Sequence, residues 1–188
     1  MATKVRSVRI IGGQWRGRRL DVRRDLAIRP TGSRIKETVF NWLTPVLTES
    51  VVLDLFAGTG ALGLEALSRG AAAVSFVENQ PGVVVRLKAV CAALDAKPIN
   101  VYQAEATRWL ETIKPIPFDI VFLDPPFDSS LLSRSCTLLE QRGWLSSTAW
   151  IYLEQPKSAD TLVLPRNWRI HRDKTAGLVR YYLAERNQ

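Results

Sequence analysis

Histidine and cysteine are almost missing from this chain: His171 stands alone, and Cys91 and Cys136 are the two cysteines. Two cysteines at this spacing build neither a disulfide framework nor a thiolate zinc site, and one imidazole completes no metal cluster. A reducing compartment and no bound metal are therefore expected. Long apolar runs are missing too. Nothing approaches the roughly 20 residues that cross a bilayer, and the opening MATKVRSVRI lacks the apolar stretch of a secretory leader. The expected location is the cytoplasm, with no membrane partner. No internal repeat, low-complexity tract or long linker divides the sequence. Its 188 residues, 46% of them hydrophobic, suffice for one well-buried core and are few for two.

Acidic residues are scarce in one place only. Residues 1–48 hold 11 Lys and Arg against 3 Asp and Glu, and residues 49–188 hold 15 against 15, so the net charge of +8 lies entirely in the N-terminal quarter. A basic face of this kind gathers polyanions by releasing their counterions, and nucleic acid is the commonest; the bland alternative is a solvated basic surface. Composition thus divides the chain into a basic extension, 1–48, and a domain, 49–188.

Within the extension, VRIIGGQWRGRRLDV predicts two short strands joined around Gly12, Gly13 and Gly17, a basic hairpin. RPTGSRIKETVFNWL predicts a helix from about Ser33 to Thr48, with Thr31 or Ser33 as N-cap and Ile35, Val39, Phe40 and Leu43 at helical spacing. From Val51 onward apolar runs alternate with helical segments: VVLDLF, ALGLEALSRG, AAVSFVE, PGVVVRLKAVCAAL, INVYQA, ATRWLETI and FDIVFLDPPF. Strand and helix in repetition mean a parallel sheet covered on both faces. A helix near Leu131 to Gln141 and a strand WIYLEQ follow. The last two strands, near WRIHRDK and LVRYYLAE, have no helix-length segment between them and form a hairpin at the sheet edge. The fold class is α/β: a mostly parallel, seven-stranded, Rossmann-like sheet with helices on both faces, preceded by a small basic hairpin and helix.

The first strand of the domain runs into Asp54-Leu55-Phe56-Ala57-Gly58-Thr59-Gly60-Ala61-Leu62-Gly63, and a helix begins at once. Such glycines let the backbone turn sharply beside a ligand at the positive end of that helix, although alone they mark equally a dinucleotide turn or a plain tight turn. Two acids discriminate. Asp54 would face the ammonium of a bound amino acid and would repel a pyrophosphate. Glu78, closing the next strand, sits where an acid accepts hydrogen bonds from ribose hydroxyls. A nucleoside joined to an amino acid satisfies both, where a loop-fixing carboxylate and a solvated strand end are the structural alternatives. The D-x-F-A-G-T-G-x-x-G pattern resembles the cofactor loop of class I S-adenosylmethionine-dependent methyltransferases, from about Val51 to the C-terminus. That resemblance implies S-adenosyl-L-methionine held by Asp54, Phe56, Gly58, Gly60, Glu78 and Asn79. It also implies that Glu105 and Ala106 lie near the adenine, with Glu105 where Asp is usual, and that Thr31, just before the first helix, borders the pocket.

The fourth strand delivers Asp124-Pro125-Pro126-Phe127 to the carboxyl edge of the sheet, where open α/β folds bind ligands. An exocyclic base amine is a poor nucleophile because its lone pair is delocalised into the ring. Acceptors that grip its two hydrogens hold it out of conjugation and aim it. Asp124 offers a side-chain oxygen, and Pro125 a backbone carbonyl on a loop stiffened by two prolines that lack N–H groups. Phe127 offers a stacking surface. The motif resembles the (Asn/Asp)-Pro-Pro-aromatic signature of methyltransferases acting on amines conjugated to a π system: adenine N6, cytosine N4, guanine N2 and glutamine amide enzymes.

R-I-I-G-G-x-x-x-G-R-x-L followed by R-P-T-x-x-R-I-K-E-x-x-F-N-x-L, with Asp-Pro-Pro-Phe downstream, resembles the bacterial 16S ribosomal RNA guanine-N2 methyltransferase family from about Arg9 to the last strand. The resemblance implies transfer of a methyl group to one guanine of small-subunit ribosomal RNA, naked or within an assembling subunit. Arg9, Arg16, Arg18, Arg19, Arg34 and Lys36 are then the candidates for holding phosphates, although Arg34 and Lys36 cannot both face one ligand. Trp15 either lies against a base or packs on the domain. His171 and Lys174 read as structural or solvated, Cys91 as core, and Trp109, Trp144, Trp150 and Trp168 as packing residues. Three rivals are a DNA adenine-N6 or cytosine-N4 methyltransferase, against which this chain shows no insertion long enough to read a duplex; a non-catalytic RNA-binding protein of this fold, against which the set Asp54, Gly58, Gly60, Glu78 and Asp124 stands intact; and a nicotinamide-dependent oxidoreductase, which Asp54 and the Asp-Pro-Pro-Phe loop oppose. A monomer is the default.

Overall fold

The structure is a computed structural model describing residues 6–22, 32–126 and 130–187. The domain is built on β3 (Val51–Asp54), β4 (Ala73–Glu78), β5 (Ile99–Gln103), β6 (Phe118–Leu123), β7 (Leu145–Pro156), β8 (Trp168–Ala176) and β9 (Val179–Arg186), in the spatial order β5-β4-β3-β6-β7-β9-β8. The first five are parallel, and β9 runs antiparallel to both β7 and β8. This is the sheet the apolar runs predict, with the closing hairpin at its edge.

Period-two alternation decides what each strand contributes. In β6, Ile120 and Phe122 enter one apolar cluster, while Val121 and Leu123 enter another on the opposite face. The first cluster collects residues of α1 (Ser33–Leu47), α2 (Ala61–Ser68) and α3 (Pro81–Ala93); the second collects α4 (Ala106–Thr112) and α5 (Leu131–Gln141). Cys91 belongs to the first. Trp109 and Trp144 stack at 4.5 Å within the second, which also takes Trp168. Trp150 is partly buried beside the first cluster, with His171 edge-on to its ring at 5.2 Å. Among the described residues, no helix is long and apolar enough to cross a membrane.

The basic hairpin forms from β1 (Arg6–Arg9) and β2 (Arg19–Val22), paired antiparallel from Arg6↔Val22 to Arg9↔Arg19. It lies on α2, which is therefore buried along its whole length. The amide of Gln14 donates to the Ser68 carbonyl at 2.8 Å, and the Ser68 hydroxyl donates to the Gly12 carbonyl at 2.6 Å. Gly13 takes φ +73°, and a Cβ there would sit 1.7 Å from the Ser68 oxygen, so both conformation and space require glycine. Trp15 is partly buried against the first cluster, which settles it as a packing residue of the hairpin.

Two expectations need correction. The N-cap of α1 is Gly32, with no side-chain cap; Ser33 is already the first helical residue, and Thr31 lies outside the described residues. Lys36, expected to hold phosphate, is fully buried. It sits on the apolar stripe with Val39 and Phe40, and its Nζ donates to the Arg9 carbonyl at 2.6 Å and to Glu65 Oε2 at 3.3 Å. Burial lowers its pKa, against the opposing charge and hydrogen bond of Glu65 and with the Arg69 charge lowering it further. An ammonium enclosed in this way ties α1 to the hairpin and to α2, and no phosphate reaches it.

Candidate active site

The chain reaches β4 and β5 on one side of β3 before returning to β6 on the other, so a crevice opens between the carboxyl ends of β3 and β6. A cavity of about 620 Å³ occupies it. Among the described residues its walls carry five acids: Asp54, Glu78, Glu105, Asp124 and Glu154.

Asp54 ends β3 and is buried, and its Oδ2 accepts the Gly63 amide at 3.0 Å, which ties the strand end to the first turn of α2. Burial pushes its carboxyl up to about 7; the Gly63 hydrogen bond opposes the shift and the Glu78 charge adds to it. Between strand and helix, Gly58 and Gly60 take φ +50° and +75°. The left-handed φ of Gly60 favours glycine there, and a Cβ would in addition press on Leu87 Cδ1 at 2.4 Å. Gly63 leaves room for the ring of Phe76, which a Cβ would approach to 2.3 Å, and α2 thereby lies close on the sheet.

Glu78 ends β4, with Oε2 accepting the Gly58 amide at 2.9 Å and Oε1 the Gln80 amide at 2.8 Å. Each oxygen has a second lone pair, so the carboxylate fixes the glycine turn and still presents acceptor capacity to the cavity. Phe56 is partly buried and Asn79 is exposed on the rim. Glu105 is the N-cap of α4, accepting from the amides of Thr107 and Arg108 at 2.9 and 2.8 Å and from the Thr107 hydroxyl at 2.9 Å. Desolvation pushes its pKa up, but these hydrogen bonds win and hold it below the usual range. Its charge thus anchors a helix start, and Ala104 and Ala106 line the cavity beside it.

Asp124 follows β6 half-buried, Pro125 is buried and Pro126 exposed; Phe127 lies outside the described residues, as does Thr31. Gly32 and Ile35 from the start of α1, with Ala176 and Val179 from the closing hairpin, complete the wall. Glu154 is the site residue that the sequence pattern does not single out. In β7, Leu153 pairs with Leu123 of β6, so Glu154 stands abreast of Asp124 at the same sheet edge. It is buried, and its Oε1 accepts the Tyr152 hydroxyl at 2.5 Å. Its signal is an acid in register with Tyr152 directly after the apolar run WIYL.

The structure leaves Arg9, Arg16, Arg18 and Arg19 of the hairpin exposed, and Arg34 exposed on α1. All five lie on the basic extension, and Arg34 stands between Gly32 and Ile35, which line the cavity.

Known proteins agree with this architecture. A family model described as Conserved hypothetical protein 95 matches residues 8–185. Ribosomal RNA small subunit methyltransferase D of Escherichia coli (strain K12) is 46% identical over 179 residues, covering 95% of this chain and 90% of that protein. Its namesake from Haemophilus influenzae is 44% identical over 182 residues, covering 94% and 92%. The solved structure of yhhF from Escherichia coli superposes with a TM-score of 0.89 at 45% identity, covering 96% of this chain and 98% of that one. The mostly parallel seven-stranded sheet, the glycine turn at the end of β3 and the Asp-Pro-Pro at the end of β6 thus belong to a chain that is a member of the ribosomal RNA small subunit methyltransferase D family.

Proposed function

We propose that this chain transfers a methyl group from S-adenosylmethionine to the exocyclic N2 amino group of a guanine in 16S ribosomal RNA. The observation that carries the reading is one cavity that gathers the ends of adjacent strands. Glu78 of β4, Asp54 of β3 and Asp124 after β6 follow one another along the carboxyl edge in sheet order, and all three line it with Gly58, Thr59 and Pro125. The named substrate of the relatives supplies the RNA.

The residues present fit the cofactor. A cavity walled by carboxylates suits a ligand carrying a cation and hydroxyls, and Gly58 and Thr59 of the turn line it without a bulky side chain. Asp54 would take the ammonium, Glu78 the ribose hydroxyls, and the Ala104–Ala106 segment the adenine. Phe56 and Asn79 stand beside these groups, and Thr31 is proposed at the rim. When bound, S-adenosylmethionine supplies a methyl group on a sulfonium, electrophilic enough to need no metal activation.

The chain's own residues prepare the nucleophile. Asp124 accepts one hydrogen of the amine and the Pro125 carbonyl the other, which turns the nitrogen lone pair out of conjugation and toward the cofactor. The base stacks on Phe127, a contact of about 1 to 3 kcal/mol. Orientation is the main gain, and for well-aligned reactants it lowers a barrier by about 7 to 11 kcal/mol. The amine becomes strongly acidic as it is methylated, and its proton leaves to a carboxylate oxygen of Asp124 or to water. The exposed arginines of the hairpin and Arg34 hold phosphates around the extruded base.

Tritiated S-adenosylmethionine is incubated with the protein and, separately, with naked 16S RNA, with small subunits from a strain lacking this protein, and with unmodified DNA. Label traced to N2-methylguanosine in RNA is the expected result, and the two RNA arms separate naked RNA from an assembled particle. Label confined to DNA overturns the substrate.

Asp54 gives the cofactor site a pH signature. Raised from 3.8 to about 7, the carboxyl favours the folded chain fully below pH 3.8, and that contribution is lost as pH rises through 7. Pairing with the cofactor ammonium needs the ionised form. Calorimetry at pH 6 and pH 8 should therefore show affinity rising about tenfold, and Asp54→Asn should weaken binding and flatten that dependence. A slope unchanged in Asp54→Asn would assign the titration to another group.

A further inference from the structure

Of the acids lining the cavity, the proposed function uses Asp54, Glu78 and Asp124, and Glu105 caps α4. Glu154 is left, and it stands next to Asp124. The register that pairs Leu123 with Leu153 brings Glu154 beside Asp124 on the neighbouring strand, and both line the cavity. Glu154 is buried where an acid is costly to keep, and it is held: the hydroxyl of the buried Tyr152 donates to Oε1 at 2.5 Å. Desolvation, followed by the charge of Glu154 and the hydrogen bond to it and, further off, the charge of Asp124, keeps Tyr152 protonated and so a donor.

The three bases with exocyclic amines differ at one atom beside that amine. In adenine and in cytosine, the ring nitrogen next to the amine-bearing carbon on the pairing edge is an acceptor. In guanine, N1 carries a hydrogen. An acid standing next to the group that grips the amine meets a donor only if the base is guanine; with adenine or cytosine, acceptor would face acceptor.

We propose that Glu154, fixed by the Tyr152 hydroxyl, accepts the N1 hydrogen of the target base and so selects guanine over other aminated bases. The inference rests on the guanine-N2 reading above and names the residue that makes the choice. Pro125 and Asp124 prepare the amine of any such base. Glu154 tests which base it belongs to.

The probe is a synthetic RNA fragment spanning the guanine mapped by the labelling experiment, made with guanine or with 2-aminopurine at that position. 2-Aminopurine keeps the amine on C2 and carries no hydrogen on N1. Wild-type protein should methylate the guanine fragment with kcat/KM about 100-fold or more above the 2-aminopurine fragment, because a site built for an N–H rejects the analogue lacking it. In Glu154→Gln, whose amide donates as well as accepts, the guanine rate should fall roughly tenfold and the ratio should collapse toward unity, with cofactor affinity by calorimetry within about threefold of wild type. Tyr152→Phe should lower the ratio partway. Equal wild-type rates on the two fragments would overturn the proposal without any variant having to fold. So would a Glu154→Gln that slows both fragments equally while binding cofactor normally. Failure of the guanine-N2 reading itself appears earlier, as label mapped to another base.

Discussion

Asp124→Ala is expected to lower kcat by roughly 100- to 1000-fold, the size of effect seen when one preorganised hydrogen-bonding group is removed from a reacting centre, while cofactor affinity stays within a few fold. The separation follows from position. Asp124 emerges from β6, whereas the cofactor contacts are assigned to Asp54, Glu78 and the glycine turn around β3 and β4. Removing the acceptor leaves the amine conjugated and loosely aimed, and leaves Asp54 and Glu78 on β3 and β4 in place. Asp124→Asn distinguishes two roles for the same side chain. An amide oxygen still accepts from the amine but takes no proton, so a positioning role predicts an Asn variant far more active than the Ala variant. A role as obligatory base predicts the two equally inactive. Single-turnover rates with S-adenosylmethionine and 16S RNA, set beside calorimetry of cofactor binding, make the comparison. Loss of cofactor binding in Asp124→Ala would contradict the assignment.

The parts of this molecule legible from sequence are those in which local pattern and tertiary fate coincide. VVLDLF and FDIVFLD are strands buried on both faces whatever packs against them, and the acids that end them fall at the carboxyl edge because parallel strands all point one way. Asp54, Glu78 and Asp124 are therefore placed together by the sequence alone. The glycine turn is legible for a different reason, since its spacing serves backbone geometry and a tight helix contact, both visible in the crowding at Gly60 and Gly63.

What is not legible depends on partners distant in sequence. The charge of Lys36 suggests a phosphate ligand, yet its place is set by its period: it lies three and four residues before Val39 and Phe40, on the stripe that faces inward. Only Glu65, 29 residues later, and the Arg9 carbonyl, 27 residues earlier, make that burial tolerable. Glu154 is hidden likewise, because its neighbour Asp124 lies on a different strand and only the register brings them abreast. Glu105 illustrates a third case. A family position suggests an adenine contact, whereas three local hydrogen bonds commit the carboxylate to the start of α4.

Glu65→Leu is expected to destabilise the fold by about 3 to 5 kcal/mol, the cost of leaving a buried charge without its counterion, and to lower Tm by roughly 10 °C in a chain of this size. Glu65 accepts from the amides of Ile11 and Gly12 at 2.9 and 2.7 Å, from Lys36 Nζ, and from Arg69 Nε at 2.8 Å, all within a buried junction of hairpin, α1 and α2. Its loss strands the Lys36 ammonium and two backbone donors together. Lys36→Met should be milder, about 1 to 2 kcal/mol, because Glu65 keeps Arg69 and both amides and the thioether fills the apolar slot. The two variants also separate structure from RNA binding. Affinity for 16S RNA measured between 50 and 200 mM salt should show a log–log slope unchanged in Lys36→Met, whereas Arg16→Ala, Arg18→Ala or Arg19→Ala should each flatten it by about 0.7 to 0.9 for every phosphate that is no longer neutralised. A flattened slope in Lys36→Met, with Tm unmoved, would return that lysine to the proposed RNA surface and break the link it makes between the hairpin, α1 and α2.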